Sequence, residues 1–232
     1  MAPEASDPTP AVARQRWRLV LARSAGGPGL AGRDLTDAWE TALEGSSLPL
    51  HRATGRSRGR VAFGAPLPAG MAAERELADI VLTELVPAWR VREAITECLL
   101  DGWHLIELYD VWLGRPSLAG QVIAADYRIE LGDADRSVVR AAVASLLRAE
   151  TLTRDRPKGT GVVRYDLRPL VGDVAVTPDE GPVVVRARTR FDPVRGTGRP
   201  EEVVAALGDL AGMPLTVSSI VRERLILADE RG

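Results

Sequence analysis

The sequence predicts an α+β fold of two tandem ferredoxin-like α/β sandwiches, each an antiparallel sheet with helices packed on one face. Three observations carry this. Segments with the two-residue alternation of strands are interleaved with segments whose apolar residues recur at i, i+3, i+4 and i+7. The order strand, helix, strand, strand or strand pair, helix, strand occurs once in each half, without the residues themselves repeating. The length, 232 residues, suffices for one large domain or two small ones. The expected divisions are a tail over residues 1–14, a first domain over 15–115 and a second over 121–229.

The opening MAPEASDPTPAVAR is rich in proline, alanine and acidic residues and has no apolar stretch of a signal peptide, so a disordered tail is expected. Residues 15–22, QRWRLVLA, alternate as a first strand with Trp17, Leu19 and Leu21 on one side. Gly26, Gly27, Pro28 and Gly29 break the chain. Over residues 33–43, Leu35, Ala38, Trp39, Ala42 and Leu43 keep helical spacing, and Gly45 supplies a stop. Residues 48–51 and 60–64 are short strand candidates on either side of the loop RATGRSRGR. The turn APLPAG precedes an alternating strand over residues 76–84. Pro87 opens a helix that extends to about residue 100 and stops at Gly102, and residues 103–113 are strand-like.

In the second half, residues 122–131, VIAADYRIEL, read as a strand. Asp133 or Asp135 is placed to cap a helix reaching Ala149, with Val138, Val139, Ala142, Val143, Leu146 and Leu147 on its apolar face. A short strand is expected over residues 151–156, then two strands over 158–191 joined by a turn-rich connection. In the second of these, Val183, Val185, Ala187 and Thr189 fall on one face and Arg186, Arg188 and Arg190 on the other, with the arginines roughly 7 Å apart. In the first, Val163, Tyr165 and Leu167 oppose Arg164, Asp166 and Arg168. Paired with each other, the two would present a mostly basic face over an apolar underside. Pro200 suits a first helical turn, with Glu201 and Glu202 near the positive end of the dipole. That helix should end near Gly212, before a last strand over residues 217–227.

Composition narrows the function classes. Hydrophobic residues make up 45% but aromatics only 4%, so the core must be mostly alanine, valine and leucine. A formal charge of -2 and a pI near 5.8 speak against general coating of nucleic acid. Of the 30 basic residues 29 are arginine and Lys158 is the sole lysine, so arginine richness belongs to the whole composition before it belongs to any site. Cys98 stands alone, which rules out an internal disulfide and a multi-thiolate metal site built from this chain. His51 and His104 are too few for a histidine-rich metal centre, and no metal or cofactor is expected. With no apolar run of roughly 20 residues, a reduced, cytoplasmic protein without membrane contact is the simplest expectation.

The candidate nucleic-acid-binding residues are Lys158, Arg164, Arg168, Arg186, Arg188 and Arg190 on the predicted sheet face, and Arg56, Arg58 and Arg60 in the glycine-flanked loop. A guanidinium donates two coplanar hydrogen bonds, which suits phosphate. Residues 151–199 hold ten basic and six acidic side chains. The same pattern also fits a solvated face paired with Asp166 and Asp192. Lys158-Gly159-Thr160-Gly161 lacks the spacing and following helix of a phosphate loop. His104 reads as a strand residue, His51 has no nucleophile tied to it, and Cys98 reads as a buried small residue. Trp39, Trp89, Trp103 and Trp112, with apolar neighbours, are expected in core or interface. No catalytic set is found.

The succession RWRLVLAR, DLTDAWETAL, LPLHR, VAFGAPLPAG, SLAGQVIAADYRIEL, KGTGVVRYDLRPLV, VRARTR and GRPEEVVAALG resembles the radical-SAM-linked proteins, a bacterial family carrying a domain of unknown function. The likeness runs from about residue 15 to 229, with Tyr165-Asp166-Leu167-Arg168-Pro169 and Gly198-Arg199-Pro200-Glu201-Glu202 as its more specific blocks. It implies a partner role beside a cobalamin-binding radical SAM protein in RNA or ribosome-related modification. Members of that family place a His-x-Asp-Leu motif where this chain has Gly32-Arg33-Asp34-Leu35, and an aromatic, Gly, Asn and His-Pro-rich loop where this chain has residues 53–60. The departures imply a diverged, binding-only member. The expected function is therefore a non-catalytic accessory of a radical SAM enzyme that binds RNA through the basic sheet face. The alternatives are an RNA-processing or RNA-modifying enzyme using His51 or Tyr165, and a protein-binding accessory with no nucleic-acid contact.

Overall fold

The computed structural model describes residues 12–26, 29–52, 58–159, 161–177 and 180–230. The expected tail over 1–14 lies outside them except for its last three residues. The chain divides into two compact units, one of residues 1–70 and 76–120, the other of residues 71–75 and 121–232. Both are mixed α/β with mostly antiparallel strands. Among the described residues no helix is long and apolar enough to cross a membrane.

The first unit contains β1 (Gln15–Arg23), α1 (Gly32–Glu44), β2 (Val61–Phe63), most of β3 (Ala72–Leu82), α2 (Ala88–Glu97), β4 (Trp103–Asp110) and the short α3 (Leu118–Gln121). Its strands lie in the order β2-β3-β1-β4, and β2–β3 and β1–β4 are antiparallel. The strand expected over 48–51 reduces to a single bridge between Leu50 and Leu82. Leu35, Trp39 and Leu43 of α1 are buried, as their helical spacing requires. Trp39 meets Trp103 edge-on at 5.5 Å and Phe63 at 6.5 Å. On β1 both faces are buried, Arg16, Arg18 and Val20 opposite Trp17, Leu19 and Leu21.

The second unit contains β5 (Val122–Leu131), α4 (Arg136–Arg148), β6 (Thr153–Lys158), β7 (Gly161–Asp166), β8 (Val171–Thr177), β9 (Val183–Asp192), β10 (Gly196–Thr197), α5 (Pro200–Ala211) and β11 (Val217–Leu227). The sheet follows the order β10-β9-β5-β11, with β8 also on β9 and Ala72–Ala73 of β3 beside β11. Asp135 caps α4, its Oδ1 accepting from the Ser137 and Val138 amides at 2.7 and 3.2 Å. Pro200 stands in the first turn of α5, and Gly212 closes that helix in the left-handed region at φ 70°.

One expectation fails here. β7 does not pair with β9. It pairs with β6 in a separate two-stranded sheet, from Thr153 opposite Asp166 to Lys158 opposite Gly161. The connection thought to be turn-rich holds a 3-10 turn at Arg168–Leu170 and then β8, whose buried Val171 and Val174 enter the core and whose edge takes the place beside β9. In the second unit the order β8-β9-β5-β11 is antiparallel throughout, with β5 and β9 paired from Ala124 opposite Arg190 to Leu131 opposite Val183, α4 following β5 and α5 connecting β9 to β11.

Candidate nucleic-acid interface

The alternation of β9 places Val183, Val185, Ala187 and Thr189 inside and sends Arg186, Arg188 and Arg190 to the opposite face. The register brings Asp126 of β5 opposite Arg188 and Arg128 opposite Arg186, and Arg224 of β11 beside Asp126. Arg188 holds both oxygens of Asp126, at 2.7 and 3.0 Å, while Arg224 reaches Oδ2 at 2.9 Å. Glu223 takes Arg128 at 3.4 Å and Arg186 at 3.5 Å, and Arg128 also donates to Glu74 at 2.5 Å. Arg190 has no carboxylate partner among the described residues and meets the Pro169 carbonyl at 3.5 Å. Gly172 of β8 makes room for Arg188: a Cβ there would sit 3.2 Å from its Cγ. Asp126, Asp173, Arg186, Arg188 and Glu223 line a shallow hollow of about 270 Å³.

Electrostatically the face is a lattice in which carboxylates are shared between guanidiniums. Burial alone would raise the Asp126 carboxyl, but the hydrogen bonds and charges of Arg188 and Arg224 outweigh it and hold it below the usual aspartate range. The hydrogen bond to Asp126 in turn raises Arg188, and that to Glu74 raises Arg128. Five arginines, Arg128, Arg186, Arg188, Arg190 and Arg224, face Asp126, Asp173, Glu223 and Glu74, and Glu130, which shares the alternation of Asp126 and Arg128 on β5, adds a fifth carboxylate, so the positive charges are matched rather than in excess.

The other candidates are dispersed. Arg164 lies exposed on β7 and pairs with Asp155 across the hairpin at 2.9 Å. Arg168 turns inward and donates to the carbonyls of Leu147 and Ala149 at 3.2 Å, closing the C-terminus of α4, and to Val171 at 3.0 Å. It sits off the sheet face because β7 ends at Asp166 and the chain turns there. The Lys158 backbone closes β6, and its side chain lies outside the described residues, as does Arg56. In the first unit, Arg58 donates to Thr41 Oγ1 on α1 at 2.8 Å, and exposed Arg60 borders a separate cleft.

Sequence reasoning missed Asp126, Arg128, Glu223 and Arg224. Their signal was present in VIAADYRIEL, where Asp126 and Arg128 alternate with buried Ala125, Tyr127 and Ile129. The tryptophans divide: Trp39 and Trp103 are buried, but Trp89 is 67% and Trp112 75% exposed, contrary to a core place. His104 lies exposed on β4, 3.4 Å from Ser24 Oγ. Burial raises the half-buried Cys98 thiol, which does not favour a reactive thiolate. Among the described residues no group of three or more His, Cys, Asp or Glu is placed to hold a metal ion.

Comparison with solved structures finds a chain of the Cbf5-Nop10-Gar1 complex at 10% identity and a TM-score of 0.49, covering 89% of this chain and 49% of that one. A chain of the archaeal box H/ACA sRNP Nop10-Cbf5 complex is 11% identical with a TM-score of 0.45, covering 89% of this chain and 48% of that one. This chain thus spans about half the length of the solved chains it matches. No curated protein matches it. The model of one bacterial family covers residues 28–197, well over half the sequence, and the chain therefore belongs to that family, described as an uncharacterized protein conserved in bacteria (DUF2344).

Proposed function

We propose that this protein is a non-catalytic RNA-binding accessory that engages RNA through the polar face of the second unit, and that it works beside a radical SAM enzyme. The supporting observation is the set of five arginines that three adjacent strands turn to one side. Each already presents a coplanar donor pair of the kind phosphate accepts. The carboxylates keep the guanidiniums in place without a ligand, and a phosphate backbone would compete with Glu223 for Arg186, whose side chain is more than half exposed. Arg190, at one end of the row, is exposed and has no carboxylate partner among the described residues, which leaves it open to solvent-borne phosphate. The radical SAM partner rests on the sequence resemblance alone.

The test is binding of fluorescent tRNA and ribosomal RNA fragments at low and high salt, with Arg186, Arg188 and Arg190 replaced together by serine. Phosphate contacts release counterions, so binding should fall steeply with salt and the triple variant should lose both affinity and salt dependence. Binding unaffected by the triple change, or no binding at low salt, would sink the proposal.

A further inference from the structure

The chain has five tryptophans, and Trp17, Trp39 and Trp103 are buried. The other two stand at one end of the first unit, which Gln15 ties together. Its amide nitrogen donates to Asp110 at the close of β4 at 2.8 Å, and its side-chain oxygen accepts from the Val86 amide, just before α2, at 2.8 Å. Leu85 and Trp89 stand on either side of Val86, and Trp112 and Leu113 follow Asp110. The Arg14 amide donates to the Leu82 carbonyl at 2.8 Å, which brings Val12 to the same end. Leu85 and Trp112 are each 75% exposed, and Val12, Trp89 and Leu113 are exposed as well. Trp112 is nevertheless held. A Cβ on Gly114 would lie 2.5 Å from its ring, so the indole rests one side on the glycine and turns the other to solvent. The Gly114 backbone is not in the left-handed region, so the missing side chain makes room for the ring and not for a turn.

Side chains of this size at these exposures leave on the order of 500 Å² of apolar surface in water, the upper range for the largest patch of a monomer. One side of a homodimer interface takes about 800 Å², about 65% of it apolar, hence roughly 520 Å². The patch therefore has the area of one half of such an interface, and tryptophan is among the residues that dominate interface energies. The exposed charges around it, Arg14 and Arg90 against Glu84 and Asp110, are of both signs. A rim of one sign would repel its own copy and suit a polyanion or a charged membrane, whereas a mixed rim meets itself without net repulsion. A flat ring fixed from behind also suits a two-fold contact, in which each patch residue is used once from either side. We propose that the first unit docks onto the first unit of a second copy of this chain through Trp89 and Trp112, forming a two-fold symmetric dimer. The inference is independent of the RNA reading, which uses the second unit.

Sedimentation equilibrium of the full chain should show the mass rising with concentration from 24.9 kDa toward twice that value. High salt should leave the dimer intact, since an apolar contact releases no counterions. Trp89→Ser with Trp112→Ser should raise the dissociation constant at least about a hundredfold, with the urea midpoint of the monomer unchanged because both side chains lie outside the core. Gly114→Ala should raise it by roughly threefold to tenfold, because the displaced indole must be ordered again on binding. The unaltered protein supplies a readout that no misfolded variant can spoil. Acrylamide quenches exposed indoles, so diluting the wild type through the transition should turn two of its five tryptophans from protected to quenchable. A protein still monomeric at about 100 μM, too weak for a standard-sized interface, overturns the proposal. So does a dimer that survives in the double variant, or one in which Trp89 and Trp112 remain quenchable. None of these outcomes bears on the salt titration of RNA binding.

Discussion

Arg188 and Asp126 are cross-strand partners on β9 and β5, joined by two parallel hydrogen bonds at 2.7 and 3.0 Å, and Arg224 of β11 meets the same carboxylate at 2.9 Å. One aspartate thus ties three strands and masks two positive charges. Asp126→Asn keeps the shape and removes the charge. If the face binds RNA, this variant should bind more tightly, and its salt dependence should steepen by about one unit for each guanidinium that gains a phosphate contact. Its unfolding free energy should fall by about 2 kcal/mol, the scale of charge-assisted hydrogen bonds. A salt titration and a urea melt on the same sample check both.

The same carboxylate makes stability depend on pH. Burial pushes Asp126 up, yet the hydrogen bonds from Arg188 and Arg224 bring it below its ordinary value in the folded protein. The stabilisation is therefore present above the unfolded aspartate value of about 3.9 and is lost as pH falls through the lower, folded one. Between about pH 5 and pH 3 the wild type should lose more stability than Asp126→Asn. Urea midpoints measured across that range should converge toward acid pH.

The two blocks that stand out in the sequence are structural. In the first, Asp166 accepts from the amides of Leu152 and Arg168 at 2.7 and 3.0 Å, and Arg168 closes α4. In the second, Glu202 takes Arg156 at 2.8 Å, and Gly198 packs on Leu170. Added at Gly198, a Cβ would lie 2.6 Å from the Leu170 carbonyl oxygen, a backbone atom that cannot swing aside. Gly198→Ala should therefore cost about 2 kcal/mol through overpacking. By contrast Gly212→Ala, where nothing lies within 4 Å, should cost about 1 kcal/mol through its left-handed backbone alone. Thermal melts of the two variants give the comparison.

Element type was legible wherever periodicity was strong. Residues 122–131 and 217–227 are strands with those bounds, and Asp135 and Pro200 start helices as their chemistry requires. Partnership was not legible. Alternation says which side chains share a face of one strand, but not which strand lies beside it, so Arg164 and Arg168 were grouped with Arg186 although β7 belongs to a separate hairpin. The burial of Glu40 was equally hidden. Glu40 interrupts the apolar stripe of α1 next to Trp39, and only packing shows that it is buried.

The first unit carries a second shared carboxylate, and this one is buried. Arg18 grips both oxygens of Asp79 at 2.8 and 3.0 Å, and Arg16 donates to Oδ2 at 2.8 Å. Arg16 also satisfies the carbonyls of Arg115 and Pro116 at 3.0 Å, which pins the segment after β4 across the strand. Burial opposes the charge on Arg18, but Asp79 outweighs it and raises the guanidinium further. Asp79→Ala would strand two guanidiniums out of water and should cost about 3–5 kcal/mol. Replacing the pair together, Asp79→Leu with Arg18→Met, removes one stranded charge and fills its volume, so it should recover part of that loss. Urea unfolding of the two variants decides the point. A double variant less stable than Asp79→Ala would mean that Arg18 contributes through contacts other than Asp79.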